Sequence, residues 1–274
     1  MKKPLISIIM GVYNCSATLS EAIDSILAQT YTNWELIMCD DGSKDDTTAI
    51  AQAYTEKYSN KIKLLRNECN SGLNYTLNRC LKQATGEYIA RMDGDDISLP
   101  QRFEREMLAM EENQDIAIVS TAMVLFDETG EWGITKNIRA PESRDLIHQT
   151  PFCHAPCLVK KEAYDAVGGY SEEKWLLRVE DYHLWVKMYE KGYRGINLEE
   201  PLYKMRDDRN AQNRRKFKYR WNEAYVKAYA VKALKLPKYN YLYCLRPILV
   251  GLLPGFIYKW LHKKKQDKSL FRGK

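Results

Sequence analysis

Short apolar runs alternate with helical spacings from the start of the chain, and no other pattern constrains its fold as strongly. Residues 5–10 form an apolar run with one Ser, too short for a helix and suited to a strand buried on both faces. Leu19, Ile23, Ile26 and Leu27 then recur at helical intervals. The same alternation predicts strands over 34–39, 62–65 and 88–92 and helices over 45–58 and 73–84. Such a succession implies a doubly wound α/β unit of nucleotide-binding type, whose ligands bind outside the carboxyl ends of the strands. Those ends are polar: Gly11-Val12-Tyr13-Asn14, Asp40-Asp41-Gly42-Ser43, Arg66-Asn67 and Asp93-Gly94-Asp95-Asp96 are expected to share one crevice.

The carboxylates of the last loop suit a hard divalent cation, and such a cation clamps a diphosphate. Asp and Gly at a strand end are also ordinary turn chemistry, so the loop alone leaves both readings open. Asp96 is expected to cap the helix that Leu99-Pro100 introduces. Farther on, 103–110 reads as a helix, 116–120 as a strand and 127–150 as a variable loop region. Glu180-Asp181 opens a helix with Leu184, Trp185, Met188 and Tyr189 on its apolar face and Gly192 as terminator. A carboxylate in a first helical turn is favoured as its anion, which suits a group that must accept a proton. Taken alone, both acids would be read as complements to the helix terminus.

Five blocks in this order carry a family resemblance: Ile8-Ile9-Met10-Gly11-Val12-Tyr13-Asn14, Ser25-Ile26-Leu27-Ala28-Gln29-Thr30-Tyr31, Asp40-Asp41-Gly42-Ser43, Gly86 through Asp96, and Glu180-Asp181-Tyr182-His183-Leu184-Trp185. The set resembles the family 2 glycosyltransferases of GT-A fold over about the first 205 residues. The resemblance implies a Rossmann-like catalytic domain with a mixed central sheet over 1–205. Its nucleotide-binding half would span about 1–98 and its acceptor half about 99–205. It puts Asp95 on a bridging Mn2+ or Mg2+ and Asp93 near the donor ribose or a metal-bound water. Asp41 would accept the imide hydrogen of a uracil ring and Tyr13 would stack on the base, which favours UDP-sugars. Asp181 would be the base that deprotonates the acceptor hydroxyl, giving inversion at the anomeric carbon. Glu180 would contact the acceptor or position the loop. His154 is expected either to border the acceptor site or to be a satisfied structural histidine, and Trp175 sits where an acceptor-covering loop is expected. A nucleotidyltransferase would need a Gly-rich phosphate loop, and none is visible near Gly11. A nucleotide-binding scaffold would need neither Asp95 nor Asp181.

The seven cysteines have no framework spacing, and the chain enters its first strand without a secretory apolar segment, so a reduced, cytoplasmic protein is expected. Cys153, His154 and Cys157 lack a second ligand pair and are read as ordinary side chains. The net charge of +6 hides a division. Residues 201–274 hold 20 Lys+Arg and 4 Asp+Glu, whereas residues 1–200 hold 22 and 32. The basic stretch from Arg206 to Arg220 leads to Trp221, Tyr225, Tyr229 and Leu234 at helical intervals. The uncharged stretch between Arg246 and Lys259 has 12 residues, too few to span a bilayer, which needs about 20. Residues 206–274 are therefore expected to be a mainly helical, basic, amphipathic extension lying on an anionic membrane surface at the inner face of the cell membrane. The other reading open to it is a helical subdomain packed on the catalytic domain or on a second copy of the chain in a homo-oligomer. Nucleic acid is not an expected partner, since no base-stacking module accompanies the charge. Membrane attachment, with the family resemblance, implies a lipid-linked saccharide acceptor.

Overall fold

The computed structural model describes residues 3–207 and 217–252. The nucleotide-binding half runs β1 (Ile6–Val12), α1 (Leu19–Leu27), β2 (Trp34–Asp40), α2 (Thr47–Lys57), β3 (Ile62–Arg66), α3 (Leu73–Gln83) and β4 (Tyr88–Arg91). Then follow β5 (Ile97–Ser98), α4 (Arg102–Glu112), β6 (Ile118–Asp127), β7 (Gly130–Ile134), β8 (Leu158–Lys160), α5 (Lys161–Val167), α6 (Glu180–Glu190), β9 (Gly195–Arg206), α7 (Lys218–Ala233) and α8 (Leu245–Leu252).

The strands make one mixed sheet in the order β3-β2-β1-β4-β8-β6-β9-β5, with β7 pairing β6 as a hairpin. The first four are parallel. Ile6 pairs with Trp34 on one side and Tyr88 on the other, while Val12 lies opposite Asp40 and Ile9 opposite Arg91. That register brings the carboxyl ends of β1, β2 and β4 to one edge, as the sequence pattern predicts. β8 then runs antiparallel to both β4 and β6, which carries the sheet into the second half.

The alternation of side chains along β1 divides the core. Ile6, Ile8 and Met10 pack with Leu19, Ile23 and Ile26 of α1, whereas Ile9 packs on the opposite face with Leu77 and Cys80 of α3. Each of these fully buried aliphatic side chains contributes roughly 1.5–3 kcal/mol. Ser7 shares the second face and satisfies its hydroxyl on Glu35 at 2.7 Å.

Two elements depart from the sequence reading, and α7 follows one of the two readings left open for the C-terminal region. The expected variable loop over 127–150 contains the β6–β7 hairpin and a short 3-10 helix at Asp145–Ile147. The strand read over 116–120 extends from 118 to 127, and its partner β9 lies where no strand was expected. Finally, α7 is seated on the catalytic core: Val226 and Ala230 join the apolar cluster of Leu184 and Trp185, and the Lys227 ammonium donates to the Ile147 carbonyl at 2.6 Å. Arg209, Arg214, Arg215 and Lys216, and the tail from 253 onward, lie outside the described residues.

Candidate active site

The loop after β4 is held in place by contacts with the β1–α1 connection, with β4 itself and with β9. The Thr18 hydroxyl donates to the Gly94 carbonyl at 2.9 Å, and a Cβ at Gly94 would lie 2.9 Å from Cys15 Sγ, so only glycine lets the loop approach the end of β1 this closely. Asp93 is half-buried and pairs with Arg91 at 2.8 Å. Asp95 is exposed. Desolvation and the neighbouring Asp93 hold its carboxyl above the usual range. Asp96 is buried and accepts the backbone N–H of Arg206 on β9 at 2.8 Å. The expected helix-capping role of Asp96 is therefore corrected: α4 begins only at Arg102, and Asp96 ties the loop to β9 instead. Burial, then Asp93 and Asp95, push its carboxyl up to about 8. Arg206 closes the arrangement by donating from Nε to the Asp95 carbonyl at 3.0 Å and from Nη2 to Glu21 at 2.8 Å.

At the end of β2, Asp40 is fully buried and spends its carboxylate on its own turn, accepting from the Ser43 N–H and the Thr48 hydroxyl. Asp41 does more. Its oxygens accept from Asn67 Nδ2 at 2.7 Å and from the backbone N–H groups of Ser71 at 2.8 Å and Gly72 at 2.9 Å. It therefore organises the loop between β3 and α3 and still has an acceptor position on the oxygen bonded to Gly72. Tyr13 is exposed at the end of β1, and the left-handed Asn14 beside it (φ 48) accepts from the Lys44 N–H at 2.8 Å. Tyr13 and Asp41 thus stand on adjoining loops of one edge.

Asp181 lies in the first turn of α6, where one carboxylate oxygen accepts the Tyr182 N–H at 2.7 Å. Burial and then Glu180 push its carboxyl up to about 6, against the opposing pull of Arg91. One Glu180 carboxylate oxygen is buried without a hydrogen-bond partner. Both acids line a cavity of about 650 Å3 together with Arg91, His154, Arg178 and, from α7, Arg220 and Glu223. His154 borders this cavity, yet both ring nitrogens are engaged, with the Arg91 guanidinium and with the Tyr170 hydroxyl at 2.8 Å. Burial, assisted by Arg91, holds its pKa well below the ordinary imidazole value. Trp175 is exposed but does not line the cavity; its indole packs edge-to-face on Tyr225 of α7 at 4.1 Å. A larger hollow of about 870 Å3 between α3 and α5 includes none of the strand-end loops.

Arg91 is the residue that sequence reasoning passed over, as part of an apolar strand. Buried in β4, it pairs with Asp93 on the side of the loop that follows β4 and with His154 on the cavity side. The signal was present, since a lone charge in a strand buried on both faces needs a partner. Arg102 was also missed; fully buried, it donates to the carbonyls of Arg91, Ala155 and Cys157 and fixes the end of β4 from beneath.

The divalent cation implied by the resemblance fits the residues present. Asp95 offers hard oxygen donors to solvent beside a second carboxylate whose repulsion a cation would relieve. Among the described residues no group of three or more His, Cys, Asp or Glu could hold a metal ion. That suits an ion carried mainly by diphosphate and water with one or two carboxylates.

Comparison with known proteins identifies the family and the fold. The family model described as Glycosyl transferase family 2 matches residues 7–168. The putative glycosyltransferase EpsE of Bacillus subtilis is 43% identical over 262 residues, covering 96% of this chain and 94% of its own. A UDP-Gal:α-D-GlcNAc-diphosphoundecaprenol β-1,3-galactosyltransferase of Escherichia coli is 31% identical over 270 residues, covering 93% and 96%. Among solved structures, Staphylococcus aureus TarS 1-349 in complex with UDP superposes with a TM-score of 0.66 at 20% identity, covering 91% of this chain and 75% of that one. The mannosyltransferase PcManGT of Pyrobaculum calidifontis, in complex with GDP-Man and Mn2+, gives a TM-score of 0.66 at 19% identity, covering 91% and 69%. With the strand-end loops, the acid-lined cavity and these matches together, the chain belongs to glycosyl transferase family 2 and is a glycosyltransferase of GT-A fold.

Proposed function

We propose that this glycosyltransferase is inverting and metal-dependent and moves a hexose or N-acetylhexosamine from a UDP-linked donor to a hydroxyl of a lipid-linked saccharide, in the assembly of capsule, O-antigen or lipopolysaccharide. One observation carries the reading: Asp181, with a pKa near 6, stands on the wall of a cavity that Arg91 joins to Asp93 of the cation loop. Tyr13 stacks on the uracil, and Asp41 presents its remaining acceptor position to the imide. Asp95 would hold Mn2+ or Mg2+, with Asp93 near the donor ribose or a metal-bound water, and the bound ion would stabilise the charge that grows on the leaving group. Asp181, ionised at neutral pH, takes the proton of the acceptor hydroxyl as its oxygen bonds to the anomeric carbon and the bond to the diphosphate breaks. Glu180 accepts from a further acceptor hydroxyl through its unpartnered oxygen.

The acceptor class draws support from the E. coli relative, whose name gives a diphosphoundecaprenol-linked sugar as acceptor and a β linkage in the product. A lipid-linked acceptor places the enzyme at a membrane surface, on the cytoplasmic side. No helix among the described residues is long and apolar enough to cross a membrane. Peripheral attachment is instead supported by Tyr239, Leu242, Leu245, Leu249 and Leu252, which are all exposed beyond α7. Such aromatic and aliphatic groups suit the headgroup region.

The test is calorimetric titration of UDP, GDP, CDP and dTDP into the full chain with and without Mn2+. Selective UDP binding that requires Mn2+ and disappears in Asp95→Ala is the expected result. Absence of binding by folded protein would refute the donor assignment.

A further inference from the structure

We infer that α7, which lies beyond the residues matched by the family model, forms one wall of the acceptor site, where Arg220 and Glu223 read hydroxyls of the acceptor sugar beside Asp181. The inference rests on the functional reading above and extends it to a helix that neither the motifs nor the family match had given a part in the chemistry.

The helix is fastened to the base-bearing elements at several points. Tyr229 donates its hydroxyl to Glu190 at 2.8 Å, and its ring meets that of His183 of α6 in a tilted contact with centroids 4.9 Å apart. Asn222 donates to the Leu177 carbonyl at 2.9 Å, and Tyr225 meets Trp175. The last two contacts grip the loop in which Arg178 holds a left-handed backbone (φ 72), two residues before Glu180. Such strain persists only where the surroundings enforce it. Hence α7 both shapes the approach to Asp181 and faces the same cavity.

The chemistry of that face suits a neutral polyol. Glu223 is held between Arg220 at 3.5 Å and Lys227 at 3.9 Å, and Lys227 is itself fixed by the Ile147 carbonyl. A guanidinium donates and a carboxylate accepts, so the pair serves both senses of a sugar hydroxyl. Among the described residues the cavity lining holds four cationic side chains, Arg91, Arg178, Arg220 and Lys227, and four anionic ones, Glu180, Asp181, Asp207 and Glu223. This balance gives a polyanion no net attraction, which favours the saccharide over the lipid diphosphate as the occupant.

The experiment uses the full chain with Mn2+, UDP-galactose, UDP-glucose and UDP-N-acetylglucosamine as donors, and a synthetic lipid bearing N-acetylglucosamine on a diphosphate as acceptor. Glu223→Gln is expected to raise KM for this lipid about tenfold, consistent with one charge-assisted hydrogen bond. Its kcat should stay within about threefold and its affinity for UDP by calorimetry should not change. Glu223→Asp should recover part of the KM. A melting temperature measured for each variant separates binding from folding. Native acceptor KM in both Glu223→Gln and Arg220→Met would overturn the inference. So would equal inhibition by the lipid diphosphate with and without its sugar, which would transfer recognition to the phosphates. UDP binding with no transfer to this lipid from any donor would overturn the acceptor class alone, whereas no UDP binding by the native chain would sink the donor reading beneath it.

Discussion

Replacing Arg91 with methionine should move two observables together. The guanidinium lies almost out of solvent, with its side chain 8% exposed, and its partner Asp93 is 28% exposed. Breaking a buried pair on one side costs about 3–5 kcal/mol, and the water that reaches Asp93 reduces this to about 2–3 kcal/mol. In a protein of this size each kcal/mol lowers Tm by roughly 2–4 °C, so a fall of about 5–10 °C is expected. The second observable is the acid limb of the rate profile. In the proposed mechanism the base is the ionised form of Asp181, whose pKa burial and Glu180 raise to about 6, so transfer should fall as pH drops through that value. Arg91 favours the anion; without it the pKa rises further and the limb moves to higher pH. Arg91→Lys retains the charge but not the planar fork, so it should return the limb more fully than the melting temperature. Transfer rates from pH 5 to 8 at saturating donor, with thermal unfolding of the same samples, give both quantities. A folded methionine variant whose acid limb stays in place would refute either the coupling of Arg91 to Asp181 or the assignment of Asp181 as base.

Asp181→Asn should retain Mn2+-dependent UDP binding while transfer falls about 10²–10⁴-fold, the usual contribution of a general base; transfer at the native rate would dismiss the residue from that role. Asp41→Ala removes one of the two acceptors of the Asn67 amide, which keeps Thr76, and strands the N–H groups of Ser71 and Gly72, at about 2–4 kcal/mol after partial rehydration. Its thermal unfolding should come earlier and its UDP affinity should fall with it; a melting curve like that of the native protein would mean that the loop after β3 does not depend on Asp41.

The first half of the fold was legible because every strand there is flanked by a helix whose apolar face repeats at 3.6 residues. Ile6, Ile8 and Met10 on one face and Ile9 on the other can be read from the sequence as a two-sided strand, and their core partners follow. The site was legible where chemistry is concentrated in the chain, as at Asp93 to Asp96 and Glu180-Asp181. It was obscured where a side chain acts across distance. Asp96 resembles a cap by its position before Leu99-Pro100, but its carboxylate is claimed by a backbone N–H 110 residues farther on. Tertiary pairing overrides such a local preference because a buried carboxylate must be satisfied wherever a donor exists.

β9 and α7 illustrate the limit in a second way. The residues of β9 include a proline and two adjacent acids, Glu199-Glu200-Pro201, so neither a clean alternation nor an apolar run marks them as a strand. The strand forms because β6 offers it a long parallel edge, with register shifts near Thr121, Ala122 and Met123. Through Tyr203 and Arg206 it then supplies contacts that fix the Asp93–Asp96 loop. For α7, positive charge and aromatic spacing spoke for a surface helix, whereas the decisive residues were the small Ala224 and Ala230 and the valines Val226 and Val231 between the lysines. Those residues let the helix sit against the core, and Lys227 is tolerated there because the Ile147 carbonyl receives its ammonium. A basic amphipathic segment therefore has two faces to assign. Its inner face can complete a catalytic cavity while the elements that follow it, carrying Leu242, Leu249 and Leu252, remain available to a membrane.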